Sequence, residues 1–469
     1  MAAESIMVNH PEALAHLEKA IALEPDHLPA RLALAELHRK GNRAKEAKRI
    51  LKETIHGNLD SPVARTALAK LLIAEGENEQ ALDHLQAAAA GDLNDPDSRF
   101  QIAELLVANG RTKDAADQLT KVVELDPLNG EAHFRLAELL EHPDDFDRAK
   151  LLLEIAMDLL PEDSRPVFKL AQLLDRGEKT DREGNFIRDP DHGAARRHYE
   201  QTLHLSPKHG PALLRVGSML EEDGDIRATR RHYKLAAKAR ETAGEAFLCL
   251  ARLSRTEEKQ AEAKKYLSLS AEREGTKAKA LLERAEILLE QDKTKAAEKD
   301  LLGSLEAFEE DERRFRENSK IDGENSNFAR ARHRLEKADE ARRSKAPVLW
   351  LLAKIKAAPG EEEGAMRLLD KASAASPAFA PAHYELALLL DKKGRAEEAI
   401  SQYEATVQAE WAYPEAHFRL GEIALAADEL EKAEMHFLIV TDLEPANRKA
   451  KAKLKTIATR DEAATKKPK

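Results

Sequence analysis

The residues best equipped for chemistry lie close together. Asp189, Asp191 and His192 bring two carboxylates and an imidazole into one short stretch, the donor types that can hold a divalent cation. A metal needs ligands converging from fixed directions, and three polar groups around Pro190 more simply make a turn. Just upstream, Gly177-Glu178-Lys179-Thr180 has the residue types that end a phosphate loop, but the Gly-Lys-Thr order is interrupted and no strand signal precedes it. The chain has no Gly-x-Gly-x-x-Gly, Gly-x-Ser-x-Gly or His-Glu-x-x-His motif. With the single Cys249 there can be neither an intrachain disulfide nor a thiolate metal cluster. The expectation is a protein without catalytic residues, metal or cofactor.

The elements that carry these residues repeat. Phe100, Ala103, Ala115, Leu119 and Pro127 are followed 34 positions later by Phe134, Ala137, Ala149, Leu153 and Pro161. Such a period marks one supersecondary unit used many times. Small residues hold the eighth place (Ala35, Ala69, Ala103, Ala137, Ala171) and the twentieth (Ala47, Ala81, Ala115, Ala149). Two antiparallel helices approach closely only where both present small side chains, while neighbouring Leu side chains fill the grooves. His133, His383 and His417 occupy equivalent places, which makes them packing residues. Aromatics are only 4% of the 469 residues, the balance expected of helices packed on helices, and almost no strand is expected.

Small residues at the eighth and twentieth places, a large apolar residue at the twenty-fourth and Pro at the thirty-second resemble the tetratricopeptide repeat family. The resemblance covers nearly the whole chain and implies an all-α fold, a right-handed superhelical solenoid of about twelve antiparallel helix pairs.

Taken in order, 1–27 reads as an N-terminal half repeat or cap, and 28–209 as an N-terminal arm interrupted by about twelve extra residues near 178–189. Phe186 and Ile187 are apolar residues in that charged insertion, either a docking knob or side chains folded back on the adjacent helix. A middle array occupies 210–311. The segment 312–345 is a degenerate repeat, or a charged helical insertion, with Ala331, Leu335 and Ala338 at core places and a turn at Asp322-Gly323. A C-terminal arm spans 346–447, and 448–469 should form a capping helix to Ala458 followed by a disordered tail.

Charged residues make up 34% of the chain with net charge -11, which argues against a general nucleic-acid binder. No leader and no membrane span are visible, so a cytoplasmic setting is the simplest expectation. In tetratricopeptide arrays the first helices line a concave groove, and the family resemblance carries its fifth place onto Phe100, Phe134, Phe168, Trp350, Tyr384 and Phe418. Glu104, Glu138 and Glu141 flank this strip in one arm, Lys354 and Glu422 in the other. The strip either binds a partner or packs against the neighbouring repeat. If it binds, the acids imply a protein or peptide with basic and apolar residues. The Lys and Asn pattern of co-chaperones that grip a terminal carboxylate is absent, as are an asparagine ladder and a paired Cys-x-x-Cys module. The leading expectation is a non-catalytic scaffold, adaptor or assembly factor; the alternative is a self-associating structural subunit.

Overall fold

The computed structural model describes residues 10–57, 61–91, 95–108, 110–140, 145–177, 189–324, 328–357 and 360–465. Among them there is helix and connection but no strand, and the fold is an all-α solenoid of paired helices. Glu141, Phe186 and Ile187 lie outside the described residues. The chain divides into two compact units, one of Met1–Met219 with Glu324–Ala329, the other of Leu220–Gly323 with Arg330–Lys469.

In the first unit, consecutive helices pair as Leu28–Lys40 with Ala44–His56, Pro62–Glu75 with Asn78–Gly91, Pro96–Ala108 with Thr112–Leu125, Gly130–Leu139 with Phe146–Leu159, and Ser164–Arg176 with His192–Leu205. Polar side chains start them: Ser61 Oγ accepts from the Ala64 N–H at 3.2 Å and Asn129 Oδ1 from Ala132 at 3.0 Å, each satisfying a donor that the helix leaves open. The small residues of the eighth and twentieth places are sealed between the paired helices, Ala69, Ala103, Ala115 and Ala171 completely. Leu85, Leu119 and Leu153 fill the twenty-fourth place and are as deeply buried.

The interruption after Arg176 leaves the repeat undisturbed because its ends meet. Gly177 turns the chain with φ +53, and a Cβ there would lie 2.5 Å from the Pro190 nitrogen, so both the backbone angle and the approach require glycine. The Asp191 N–H then donates to the Leu174 carbonyl at 3.0 Å, and the next helix starts.

The second unit holds Ile226–Ala236, the pairs Ala243–Thr256 with Gln260–Ala271, Lys345–Lys356 with Glu362–Ala375, Ala380–Lys392 with Ala396–Ala409, and Pro414–Ala426 with Leu430–Leu443, and the helix Arg448–Thr465. Lys277–Glu290 is followed by one continuous helix, Thr294–Glu324. It passes straight through Asp322-Gly323, where a turn was expected. Phe328–Arg343 returns alongside it: Ser319 Oγ donates to the Ala331 carbonyl at 2.9 Å, and Arg334 pairs with the buried Asp322 at 2.6 Å. Arg334 therefore faces Thr294–Glu324, and Ala338 and Ala341 are buried, whereas Leu335, expected in the core, is 46% exposed. The helix from Arg448 also runs past Ala458, where it was expected to end, to Thr465.

Candidate partner-binding groove

Five of the six fifth-place aromatics, Phe134, Phe168, Trp350, Tyr384 and Phe418, have ring or cation partners inside their own unit. Phe134 is only 3% exposed, and the Arg165 guanidinium lies over its ring at 5.1 Å from the centroid. This corrects its assignment as an open anchor: a buried ring stacked on a cation cannot also be offered to a ligand. Phe100 and Phe168 remain half-buried, and the Phe168 ring sits 4.3 Å from His209 and 5.8 Å from Tyr199. In the second unit, Trp350 packs edge-on against Phe379 at 5.9 Å and carries Lys354 Nζ over its face at 4.6 Å. Tyr384 touches Tyr403 and Tyr413, at 5.9 and 5.1 Å, and Phe418 meets Phe437 at 5.5 Å. Each keeps part of its surface in the open, but its best contact is a neighbouring helix.

The flanking acids are likewise engaged. Arg135 reaches Glu104 at 3.5 Å, Glu131 at 3.2 Å and Glu138 at 3.0 Å, while Arg165 holds Glu131 at 2.8 Å. Glu422 is shared by Arg419 at 2.9 Å and Lys453 at 3.0 Å. These acids are all ion-paired, but in the first unit Glu104, Glu131, Glu138 and Asp163 share only Arg135 and Arg165, so an acidic excess remains there.

Several recesses stay open among the described residues of the first unit, of about 350 to 450 Å³, and one of about 420 Å³ lies between the first helices Gly130–Leu139 and Ser164–Arg176. Leu140 and Leu173 give it apolar walls, Leu153 and Tyr199 back it, and Glu138 and Lys169 place opposite charges at its edge. Asp175, also in its lining, accepts two hydrogen bonds from Arg215, at 2.5 and 2.8 Å, one from Tyr199 Oη at 3.2 Å, and lies 3.0 Å from His192 Nδ1. Burial works to raise the Asp175 pKa, but Arg215, His192 and Tyr199 outweigh it and hold the carboxyl below its ordinary value.

This arrangement recurs. In the second unit Tyr403 lies beside the ion pair of Asp391 and Arg419, and Tyr233 donates to Glu221 at 2.7 Å. There the place of the arginine is taken by Cys249, whose thiol burial pushes up to about 11, far from a reactive thiolate. The sequence carries a signal for these clusters that single-residue reading missed. Each Tyr at the twenty-fourth place has an acid at the twelfth place of its own repeat, and Leu or Phe at that place never does within these full repeats except for Glu141 before Leu153.

The metal-type residues have structural tasks. Asp191 Oδ1 caps its helix by accepting from Ala194 at 2.8 Å, and His192 bonds Asp175. The three equivalent histidines each donate Nε2–H to a carbonyl six residues back: His133 to Pro127 at 3.0 Å, His383 to Pro377 at 3.2 Å and His417 to Trp411 at 2.9 Å. Among the described residues no His, Cys, Asp and Glu converge as a metal site, and no helix is long and apolar enough to cross a membrane.

A tetratricopeptide repeat family model matches residues 9–71 and 106–174, and a second tetratricopeptide repeat model matches 384–446. These segments of the chain are tetratricopeptide repeats. They lie in both units, and tetratricopeptide arrays are in general non-catalytic scaffolds that bind proteins or peptides. No curated protein matches the chain in sequence. Among solved structures it is similar to YrrB, described as a TPR protein with an unusual peptide-binding site (17% identity, 42% of this chain, 95% of that one, TM-score 0.36). It is also similar to the C-terminal part of a TPR repeat-containing protein from Cytophaga hutchinsonii (15% identity, 53% and 98%, TM-score 0.43). A third is the APC/C hetero-tetramer Cut9-Hcn1 (14% identity, 96% and 93%, TM-score 0.35).

Proposed function

We propose that the protein is an adaptor or assembly factor that captures a segment of a partner protein in the cavity between Gly130–Leu139 and Ser164–Arg176. The observation that carries this reading is the cavity itself: a recess of about 420 Å³ whose lining mixes Leu140, Leu153 and Leu173 with Glu138, Lys169 and Gln172, large enough for one or two side chains. The partner segment that suits it has a Leu- or Met-sized anchor, a basic residue toward Glu138 and an acid toward Lys169. Phe100 and Phe168, each half-buried, are the further contacts assigned to the segment on this reading.

Gln172 lines the cavity and is exposed, so Gln172→Trp fills the recess without touching the core. Random peptides selected on the full chain should lose affinity for Gln172→Trp by about tenfold or more, roughly 1.4 kcal/mol, with an unchanged melting temperature. Peptides that bind the filled variant as tightly as the native protein place the binding surface elsewhere.

A further inference from the structure

We propose that the outward face of the helix Arg448–Thr465 docks an acidic segment of a partner protein, independently of the cavity above. The helix is anchored by Ala450, Ile457 and Leu454, which join Phe437 and Val440 in one apolar cluster. Its opposite face presents Arg448, Lys451 and Lys455 at i, i+3 and i+7, all exposed, with Ala452, Thr456 and Thr459 between them. On the flanks Lys453 pairs with Glu422 at 3.0 Å and Arg460 with Asp428 at 3.5 Å. Among the described residues no carboxylate lies within ion-pairing distance of Arg448, Lys449, Lys451 or Lys455.

Helix stability does not explain these charges. Arg448, Lys449 and Lys451 occupy the first turn, where the backbone N–H groups point outward and the helix dipole is positive, so each cation is repelled there. Asn447 caps one of those donors, accepting from Ala450 at 3.0 Å, and the end as a whole remains cationic. The bias is concentrated: 448–469 carries nine Lys and Arg against Asp461 and Glu462, in a chain of net charge -11.

An acidic polypeptide fits this face better than other polyanions. The apolar side of the helix is already used against its neighbour, so it has nothing to insert into a bilayer. The outward face has no aromatic side chain on which a base could stack. Its three cations advance over about 10 Å, a spacing that carboxylates at i, i+3 and i+7 of a partner helix reproduce.

The probe is a labelled Ala-based peptide of roughly 16 residues with Glu at that spacing, titrated with the full chain by fluorescence anisotropy at about 50 and 300 mM salt. The expected result is saturable binding that weakens with salt and falls about tenfold or more in R448E/K451E/K455E, whose helix content stays equal or rises. Should the reversed variant lose helix content, the neutral R448Q/K451Q/K455Q variant reads the same loss. Equal affinity of either folded variant overturns the proposal. So does tighter binding of a single-stranded RNA or of phosphatidylserine vesicles than of the peptide.

Discussion

At the scale of single residues, this array is governed by how much volume meets at the crossing of two helices. Most full repeats pair Ala at the eighth place with Leu at the twenty-fourth, as in Ala103 with Leu119 and Ala137 with Leu153. Gly421 departs from this because Phe437, completely buried, takes the space: a Cβ at Gly421 would lie 2.9 Å from the ring. Gly421→Ala should therefore cost about 1–3 kcal/mol in chemical denaturation. The double change Gly421→Ala with Phe437→Leu restores the common pair and should recover a large part of that loss. Equal cost in the single and double variants would show that the two places are not coupled.

At the scale of the element, the pair Pro414–Ala426 and Leu430–Leu443 contains a proton-sensitive contact. The Trp411 carbonyl can only accept, so His417 donates from Nε2 and its Nδ1 accepts from His436 Nδ1–H at 3.0 Å. Burial holds both imidazoles below the ordinary 6.5, and His417 adds to the effect on His436. The folded pair prefers to be neutral. As pH falls below about 6.5 the unfolded chain takes up protons first, so the stability this contact supplies is present above that value and is lost below it. Thermal melts from neutral pH down to about 5.5 should show His436→Gln with a shallower pH slope than the native protein. Glutamine is the natural partner here, since His383 pairs with Gln402 at 2.8 Å at the equivalent places. Identical slopes would assign the acid sensitivity to other groups.

At the scale of the whole molecule, a solenoid unit is held by contacts between neighbours, so a defect is felt locally. Hydrogen exchange on Gly421→Ala should show lost protection in Pro414–Ala426, Leu430–Leu443 and the helix from Arg448, with the helices between Leu28 and Leu205 unchanged. Uniform loss across both units would mean that the chain unfolds as one cooperative body.

The residue types alone determined the repeat, because one small side chain per helix at a fixed interval admits little besides stacked helix pairs. They also determined the structural use of His133, His383 and His417, since equivalence within a repeat is visible without coordinates. Tertiary structure decided the rest. Ion pairs across repeats join residues far apart in the chain, as Arg135 does with Glu104 and Arg165 with Glu131, and Leu335 is exposed while its neighbour Arg334 pairs with the buried Asp322. Whether an aromatic at the fifth place is open or closed depends on what the neighbouring helix brings to it, and for Phe134 that is Arg165. A period fixes which residues are equivalent; only the packed neighbours fix how much of each one solvent or a partner can reach.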